Sequence, residues 1–308
     1  MDRRGFLTRV LPAGALALAA GRVTAARKAD AAFVITPLAE RLTLISGAGG
    51  NVTVLHSPAG VLLVDGGARA HSARLLQAIR RITGTATVHT LFNTHWHADQ
   101  TGSNAVLGKA GTRIIAHENT RLWLGTDVES KWEQRVHAPL PPVAQPNQTF
   151  YETGSLQFGG EQIDYGYLPQ AHTDGDIYVH FRNANVLVAG DVVSVGAFPI
   201  IDYCTNGWIG GMANAVQSLF ELSDARTQIV PGLGLPQNRA HLQSEQAMLD
   251  TMKQRLSQLL AQGMSASEMI AAAPAREFEA QWGDPALFIA NAWPGLVYRA
   301  RELGVSIV

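Results

Sequence analysis

The sequence has little cysteine and little charge, and each of these shortages argues against one kind of structure or function. The single cysteine, Cys204, cannot form an intramolecular disulfide, and a lone cysteine is most often buried and inert. Charged residues make up 16% of the chain and the net charge is −1, so we expect no nucleic-acid surface. With 46% hydrophobic residues over 308 positions, the chain can form one large or two small domains.

The N-terminus has the features of an export signal. The segment Asp2-Arg3-Arg4-Gly5-Phe6-Leu7 resembles a twin-arginine signal, and Val23-Thr24-Ala25 matches a small-x-small cleavage pattern. We expect a signal peptide over residues 1–25, a linker over 26–36 and one domain over 37–308 with a C-terminal helical extension. The twin-arginine machinery would then export the protein to the periplasm or out of the cell. The apolar part of the signal is too short to span a bilayer comfortably, so we expect no stable membrane insertion after cleavage. An uncleaved anchor helix is the alternative.

Apolar segments of strand length and amphipathic segments of helix length occur in two successive sets. Strands are predicted at residues 41–45, 51–56, 61–64, 88–92 and 112–117, and again between 149 and 189. Helices are predicted at about residues 70–82, 101–107, 209–222, 239–262 and 285–303. Because strand-rich and helix-rich segments alternate twice, the sequence predicts an α+β fold of two stacked sheets with helices outside.

Two histidines and an aspartate lie within five positions after a predicted buried strand. Alternate residues of an extended segment point to the same side, so His95 and His97 can bind one ion together. Asp99 is expected on the same side, where the loop leaves the strand. In open sheets, ligand-binding and catalytic residues usually lie at the carboxyl ends of the strands.

Two later residues complete a candidate ligand set. His172 lies in a turn before a predicted strand, and Asp191 ends an apolar strand, as Asp65 and His95 do. Three imidazoles and a carboxylate suit zinc with a water, and they also suit iron or manganese. Zinc lowers the pKa of its bound water to about 7, and Asp99 is the candidate catalytic residue that orients this water or moves its proton. Asp65 is expected to hydrogen-bond the ligand loop.

Five segments occur in the order seen in the metallo-β-lactamase superfamily, which the chain resembles from about residue 42 to residue 234. They are Val64-Asp65-Gly66-Gly67, His95-x-His97-x-Asp99, His172-Thr173-x-Gly175-Asp176, Gly190-Asp191 and Pro231-Gly232-x-Gly234. The resemblance implies a four-layer αββα sandwich with metals at one edge of the sheets. It also implies that His95, His97 and His172 form the first zinc site, and that Asp191 is the acid that bridges two metals in dinuclear members.

The chain departs from the family pattern at two positions. The residue after the aspartate of the histidine motif is usually histidine, and here it is Gln100. The Pro-Gly-x-Gly turn usually carries histidine, and here it has Leu233. Both missing histidines serve the second metal, so we expect one full zinc site and a weak or empty second site. His241 is a possible substitute, but we expect it to begin the following helix.

The expected function is that of an exported zinc-dependent hydrolase, possibly β-lactamase-like. Metal-bound hydroxide would attack the carbonyl of an amide, lactone, ester or thioester. The alternative is a non-catalytic metal- or ligand-binding protein on a degenerate hydrolase scaffold. The insert over residues 123–149 either overhangs the site or packs as a surface loop. Five aromatic residues are candidates to line an apolar pocket for a small-molecule substrate: Trp96, Trp132, Phe198, Tyr203 and Trp208.

Overall fold

Short apolar segments form the strands of two large sheets and a small hairpin in the computed structural model, which describes residues 33–85 and 87–302. The strands are β1 Val34–Ala39, β2 Leu42–Ala48, β3 Gly50–Ser57, β4 Gly60–Val64, β5 Val88–Phe92, β6 Arg113–His117, β7 Val128–Ser130, β8 Arg135–His137, β9 Gln148–Phe150, β10 Thr153–Phe158, β11 Glu161–Tyr167, β12 Ile177–Phe181, β13 Val186–Gly190 and β14 Gln228–Pro231.

The sheets differ in how their strands run. The first has the order β1-β2-β3-β4-β5-β6-β9, antiparallel as far as β4 and parallel from there. The second has the order β10-β11-β12-β13-β14, in which only β13 and β14 are parallel. Strands β7 and β8 form the separate hairpin within the insert.

Amphipathic segments form the helices that flank the sheets. They are α1 Ser72–Thr83, α2 Ala98–Thr101, α3 Asn104–Lys109, α4 Glu118–Leu124, α5 Ile209–Leu222, α6 Arg239–Ala261, α7 Ala266–Ala271, α8 Glu279–Trp282 and α9 Ala286–Glu302. Among the described residues, no helix combines the length and the apolar character needed to cross a membrane.

Alternation along each strand sorts the buried side chains into three apolar layers. Leu62 of β4 joins a cluster with Phe181 of β12, so this layer lies between the two sheets. Its neighbour Leu63 joins a second cluster with Ile79 of α1, outside the first sheet. The third cluster packs the second sheet against helices such as α5 and α6. The predicted αββα sandwich is therefore confirmed.

The structure differs from the sequence-based predictions in two details. Strand β1 begins at Val34, inside the segment 26–36 for which the sequence predicts a linker. The single helix predicted over residues 101–107 is two short helices, α2 and α3. The predicted signal peptide over residues 1–25 lies outside the described residues.

Hydrogen bonds join the two sheets at the edge where the candidate ligands lie. The backbone N–H of Asn51 in β3 donates to Gly232 O at 2.7 Å, and its side-chain Nδ2 donates to Pro231 O and Gly234 O at 2.9 Å each. Ile177 N of β12 donates to Thr94 O at 2.9 Å. These hydrogen bonds therefore hold loops from both sheets next to each other at this edge, although their residues are far apart in sequence.

Candidate metal centre

The four residues chosen as metal ligands lie together at this edge. His95 and His97 follow β5, His172 precedes β12 and Asp191 follows β13. One possible ligand atom from each lies within 4.8 Å of those from the others. The three imidazole rings stand nearly perpendicular to one another, with centroids 4.7 to 4.8 Å apart. The structure thus brings together residues that are up to 96 positions apart in the chain.

Each imidazole has an outer nitrogen, which points away from the other two rings, and an inner nitrogen, which points toward them. The outer nitrogen of each ring takes part in a hydrogen bond with the protein. His95 Nδ1 lies 3.1 Å from Thr94 Oγ1, whose own hydrogen goes to Asp65 Oδ2 at 2.8 Å. His97 Nε2 lies 3.1 Å from Asp202 Oδ2, and His172 Nδ1 donates to Ile200 O at 2.7 Å. These contacts fix the ring orientations and place the protons on the outer nitrogens. The inner nitrogens, His95 Nε2, His97 Nδ1 and His172 Nε2, therefore present lone pairs to one small volume.

Among the described residues, the three inner nitrogens do not all have a hydrogen-bond partner. His95 Nε2 is buried without any hydrogen bond among the described residues. Burial, together with His172 and His97, lowers the pKa of His95 well below its usual range, so this ring stays neutral. Burial also opposes protonation of His172, but Asp191 and Asp176 outweigh it and raise the pKa of His172. A proton there can be shared with His97 Nδ1, 3.0 Å away, but it leaves the His95 lone pair unmatched.

A metal ion fits this donor set. Zinc with bonds of about 2.0 to 2.1 Å to four tetrahedral ligands places their ligand atoms about 3.4 Å apart, and a catalytic zinc can expand to five-coordinate and so also take a water. Asp191 Oδ2 lies 3.7 Å from His95 Nε2 and 3.8 Å from His172 Nε2, close to that spacing. A cation would be bound by three neutral nitrogens and one carboxylate, and it would displace the shared proton. The cluster is therefore compatible with a metal cofactor, which His95, His97, His172 and Asp191 could hold.

Asp202 is a residue of the candidate site that the sequence alone does not single out. Its Oδ2 accepts from His97 Nε2 and from Thr205 Oγ1 at 2.7 Å, and its Oδ1 accepts from Trp132 Nε1 at 3.2 Å. Burial opposes ionisation, but the hydrogen bond and charge of His97, with Thr205, lower the pKa of Asp202 to about 2. Asp202 is therefore a carboxylate at neutral pH, and it holds His97 with Nδ1 turned toward the cluster.

Asp65 has the location expected of a residue that supports the ligand loop. It is buried after β4, and its Oδ1 accepts from Thr94 N at 2.8 Å while Oδ2 accepts from Thr94 Oγ1. Burial raises the pKa of Asp65 well above its usual range, and the Thr94 bonds act against this shift. Asp65 touches the residue before His95 and is not one of the four clustered residues.

Gln100, which stands where the family pattern usually has histidine, lies beside Asp191. Its side chain is buried and Nε2 donates to Asp191 Oδ1 at 3.3 Å, on the opposite oxygen from the one that faces His95 and His172. A Cβ atom at Gly50 would lie only 2.5 Å from Gln100 Oε1, so the glycine makes room for this amide. The Gln100 amide thus bonds the Asp191 oxygen that does not face His95 and His172.

The other residues that Sequence analysis considers for catalysis or metal binding lie outside this cluster of four. Asp99 is half-buried in α2, outside the four-residue cluster, and its charge acts on Asp191. Leu233 is 66% exposed and lines a cleft beside Asp191. His241 lies in the first turn of α6, where Nε2 donates to Ser194 O at 2.7 Å. Cys204 is half-buried, and burial raises the pKa of its thiol.

The five aromatic candidates lie in different places. Phe198 lines the cleft beside Asp191, and the ring of Trp132 lies 6.0 Å from that of His97. Tyr203 and Trp208 line a separate cavity. Trp96 packs in an apolar cluster with Leu124 and Val128 of the insert. Through its Trp132–Asp202 hydrogen bond, the insert over residues 123–149 reaches the metal centre.

Comparison with known proteins assigns the family. The sequence model of the metallo-β-lactamase superfamily matches residues 46–250, which is more than half of the chain. The protein therefore belongs to the metallo-β-lactamase superfamily.

Solved structures share the fold at low sequence identity. A metallo-β-lactamase from Pontibacter korlensis is 17% identical with a TM-score of 0.57, and the match covers 71% of this chain and 99% of that one. The DIM-1 metallo-β-lactamase is also 17% identical, with a TM-score of 0.57 and coverage of 72% and 99%. TMB-1 is 16% identical with a TM-score of 0.57 and the same coverage. Similarity at this level supports the fold and not the substrate.

The hydrogen bond of Asp202 leads to a testable prediction. Replacing Asp202 with Asn keeps the shape but removes the charge that orients and polarises His97, so Asp202→Asn should weaken zinc binding by about 10- to 100-fold. Competition with a chromophoric chelator measures this affinity. Asp164→Asn, at a half-buried acid paired with Arg182 at 3.6 Å and outside the cluster, is the matched control and should bind zinc as the parent does. Unchanged affinity in Asp202→Asn would refute the role given to this residue.

Proposed function

We propose that the protein is an exported zinc-dependent hydrolase that cleaves a carbonyl substrate at a single metal ion. The observation that carries the proposal is the set of three inward imidazole lone pairs, with His95 Nε2 buried and unpartnered among the described residues. Three neutral nitrogens with one carboxylate favour zinc over the harder cations that prefer oxygen ligands. When bound, zinc supplies Lewis acidity and makes water acidic enough to act as a nucleophile near neutral pH.

The residues of the chain have separate tasks in this proposal. His95, His97 and His172 hold the cation, and Asp202 keeps His97 in the binding tautomer. Asp99, half-buried two positions after His97, would accept a proton from water and pass it to solvent. Its role rests on its location and on its charge interaction with Asp191.

One metal per chain is part of the proposal. Gln100 already bonds the Asp191 oxygen that faces away from His95 and His172, and Leu233 offers no ligand atom.

The proposal of export rests on the twin-arginine-like segment at Arg3 and Arg4 and on the cleavage pattern that ends at Ala25. These features favour a periplasmic or secreted enzyme that has no stable membrane insertion.

The metal stoichiometry can be tested by restoring the missing histidines. We expect about one zinc per chain for the parent and about two for the double variant Gln100→His with Leu233→His, as measured by elemental analysis after dialysis. The control Gln100→His with Leu235→His puts the second imidazole on an exposed leucine outside the cleft and should bind no second ion tightly. Two tightly bound zincs in the parent would contradict the single-metal proposal.

Catalysis can be tested with substrates of several classes. Zinc-loaded protein should hydrolyse at least one of nitrocefin, a lactone, a thioester and a carboxylate ester, and His97→Ala should lose both zinc and this activity. His89→Ala, at an exposed histidine of β5 outside the cluster, is the control and should keep both. Inactivity on every substrate, together with tight binding of a small ligand, would favour the non-catalytic alternative.

A further inference from the structure

Two of the candidate ligands bond through their outer nitrogens to a single loop. This 192–202 loop begins two residues after the end of β13. Its Ile200 O accepts the hydrogen of His172 Nδ1 at 2.7 Å, and its Asp202 Oδ2 accepts the hydrogen of His97 Nε2 at 3.1 Å. The backbone N–H of Asp202 also donates to His172 O at 2.8 Å. The orientation of two imidazole rings therefore depends on where the backbone of this loop lies.

Helix α6 holds the first part of the 192–202 loop at Ser194. Glu245 Oε1 accepts the backbone N–H of Ser194 at 3.0 Å, and His241 Nε2 donates to the backbone oxygen of Ser194 at 2.7 Å. The two side chains lie four positions apart, so both project from the same face of α6. One helix face thus satisfies both the donor and the acceptor of one loop residue, which fixes the backbone there relative to α6.

Packing alone does not explain the carboxyl group of Glu245. The side chain is fully buried, and its Oε2 has no hydrogen-bond partner among the described residues. Its neighbours on the same helix face, Leu242 and Leu249, belong to an apolar cluster. Burial raises the pKa of Glu245 well above its usual range, and the hydrogen bond from Ser194 acts against this shift. Because a buried polar group costs stability, its bond to the loop is the contribution that distinguishes it from an apolar residue.

The C-terminal helices hold the same loop at a second point, Phe198. The backbone N–H of Phe198 donates to Trp282 O of α8 at 2.7 Å, and its ring stacks on that of Phe288 in α9 with centroids 5.2 Å apart. Phe198 lies two residues before Ile200, whose oxygen accepts from His172. The part of the loop that orients His172 is therefore attached to α8 and α9 close to that hydrogen bond.

We propose that helices α6, α8 and α9 position the metal centre through the 192–202 loop, with Glu245, His241 and Phe288 as positioning residues. These three residues are not members of the four-residue cluster and act on it through the loop. By fixing the loop, they fix the ring of His172 with Nε2 toward the other ligands. A ring that is already oriented loses less conformational entropy when a cation binds, so the helices raise metal affinity. This inference rests on the function proposed above, in which His172 holds the cation.

The first test removes one anchor of the loop and then restores it. Glu245→Leu leaves the N–H of Ser194 without its acceptor, whereas Glu245→Gln keeps an oxygen for it and has the shape of the protonated acid. Zinc affinity, measured by competition with a chromophoric chelator, should fall about tenfold in Glu245→Leu and stay within about twofold of the parent in Glu245→Gln. His241→Leu and His241→Gln form the corresponding pair for the backbone oxygen of Ser194, and the same difference is expected.

Glu161→Leu is the matched control for Glu245→Leu. Glu161 is also buried, and its Oε1 accepts the backbone N–H groups of Asn183 at 2.7 Å and Ala184 at 3.2 Å. These residues form the turn between β12 and β13, at the ends of the two strands opposite the metal centre. The control removes the same kind of buried bond, so it should lose stability and keep the zinc affinity of the parent.

A second pair of variants tests the other anchor independently of Glu245. Phe288→Leu removes the ring that stacks on Phe198 and should weaken zinc binding by about three- to tenfold. Phe181→Leu is its control, because Phe181 is also fully buried but lies between the sheets at the end of β12 away from the metal centre. It should bind zinc within about twofold of the parent.

The resonance of the His172 Nδ1 proton in metal-free protein gives a readout that a general loss of stability would not move. Its hydrogen bond to Ile200 O should lengthen in Glu245→Leu and Phe288→Leu, so the proton should shift upfield in nitrogen-15-edited spectra. Glu245→Gln and the two controls should keep the parental shift.

The outcomes separate this inference from the proposed function. Parental zinc affinity and a parental His172 resonance in folded Glu245→Leu and Phe288→Leu would overturn the positioning role and leave the proposed function intact. An equal loss of zinc affinity in Glu161→Leu and Phe181→Leu would also overturn it, because affinity would then follow overall stability. A parent that binds no zinc, with the expected His172 shifts in the variants, would overturn the proposed function and retain the role of the helices.

Discussion

The structure depends on one electrostatic constraint, which is that three buried imidazole lone pairs point into the same small volume. Three such nitrogens repel one another unless a cation or a proton lies between them. A single proton shared by His172 and His97 relieves only part of this repulsion, because His95 Nε2 still lacks a partner among the described residues. A metal ion satisfies all three nitrogens together, and Asp191 supplies the negative charge that balances part of its own.

The fold maintains this arrangement through hydrogen bonds on the far side of each ring. Thr94 and Asp65 come from the first sheet, whereas Ile200 and Asp202 come from the loop that follows the second sheet's β13. Neither sheet alone can orient all three imidazoles. The bonds from Asn51 to the turn around Gly232 join the sheets at the same edge, so packing of the two halves and geometry of the site are coupled.

The sequence predicted the sandwich and the four clustered residues because these depend on local patterns. Apolar runs ended at Asp65, His95 and Asp191, and strand ends meet at sheet edges. Strand β1 was not predicted because its residues are largely exposed and give no clear alternation. Asp202 was missed because it lies in an irregular turn, 105 positions after His97, and only folding brings the two together. Phe198 is one of the aromatic residues that the sequence predicts to line an apolar pocket, and it lines the cleft beside Asp191, whereas nothing in the sequence singles out Ile200.

The most direct test is to identify the nitrogen of each histidine that binds the metal. In cadmium-113-loaded, nitrogen-15-labelled protein, the account predicts one-bond couplings to Nε2 of His95, Nδ1 of His97 and Nε2 of His172, and to no other histidine nitrogen of the described residues. The same spectra should show protons on His97 Nε2 and His172 Nδ1, where Asp202 and Ile200 accept them. Coupling through the opposite nitrogen of any of these rings, or loss of one ring from the set, would contradict the account.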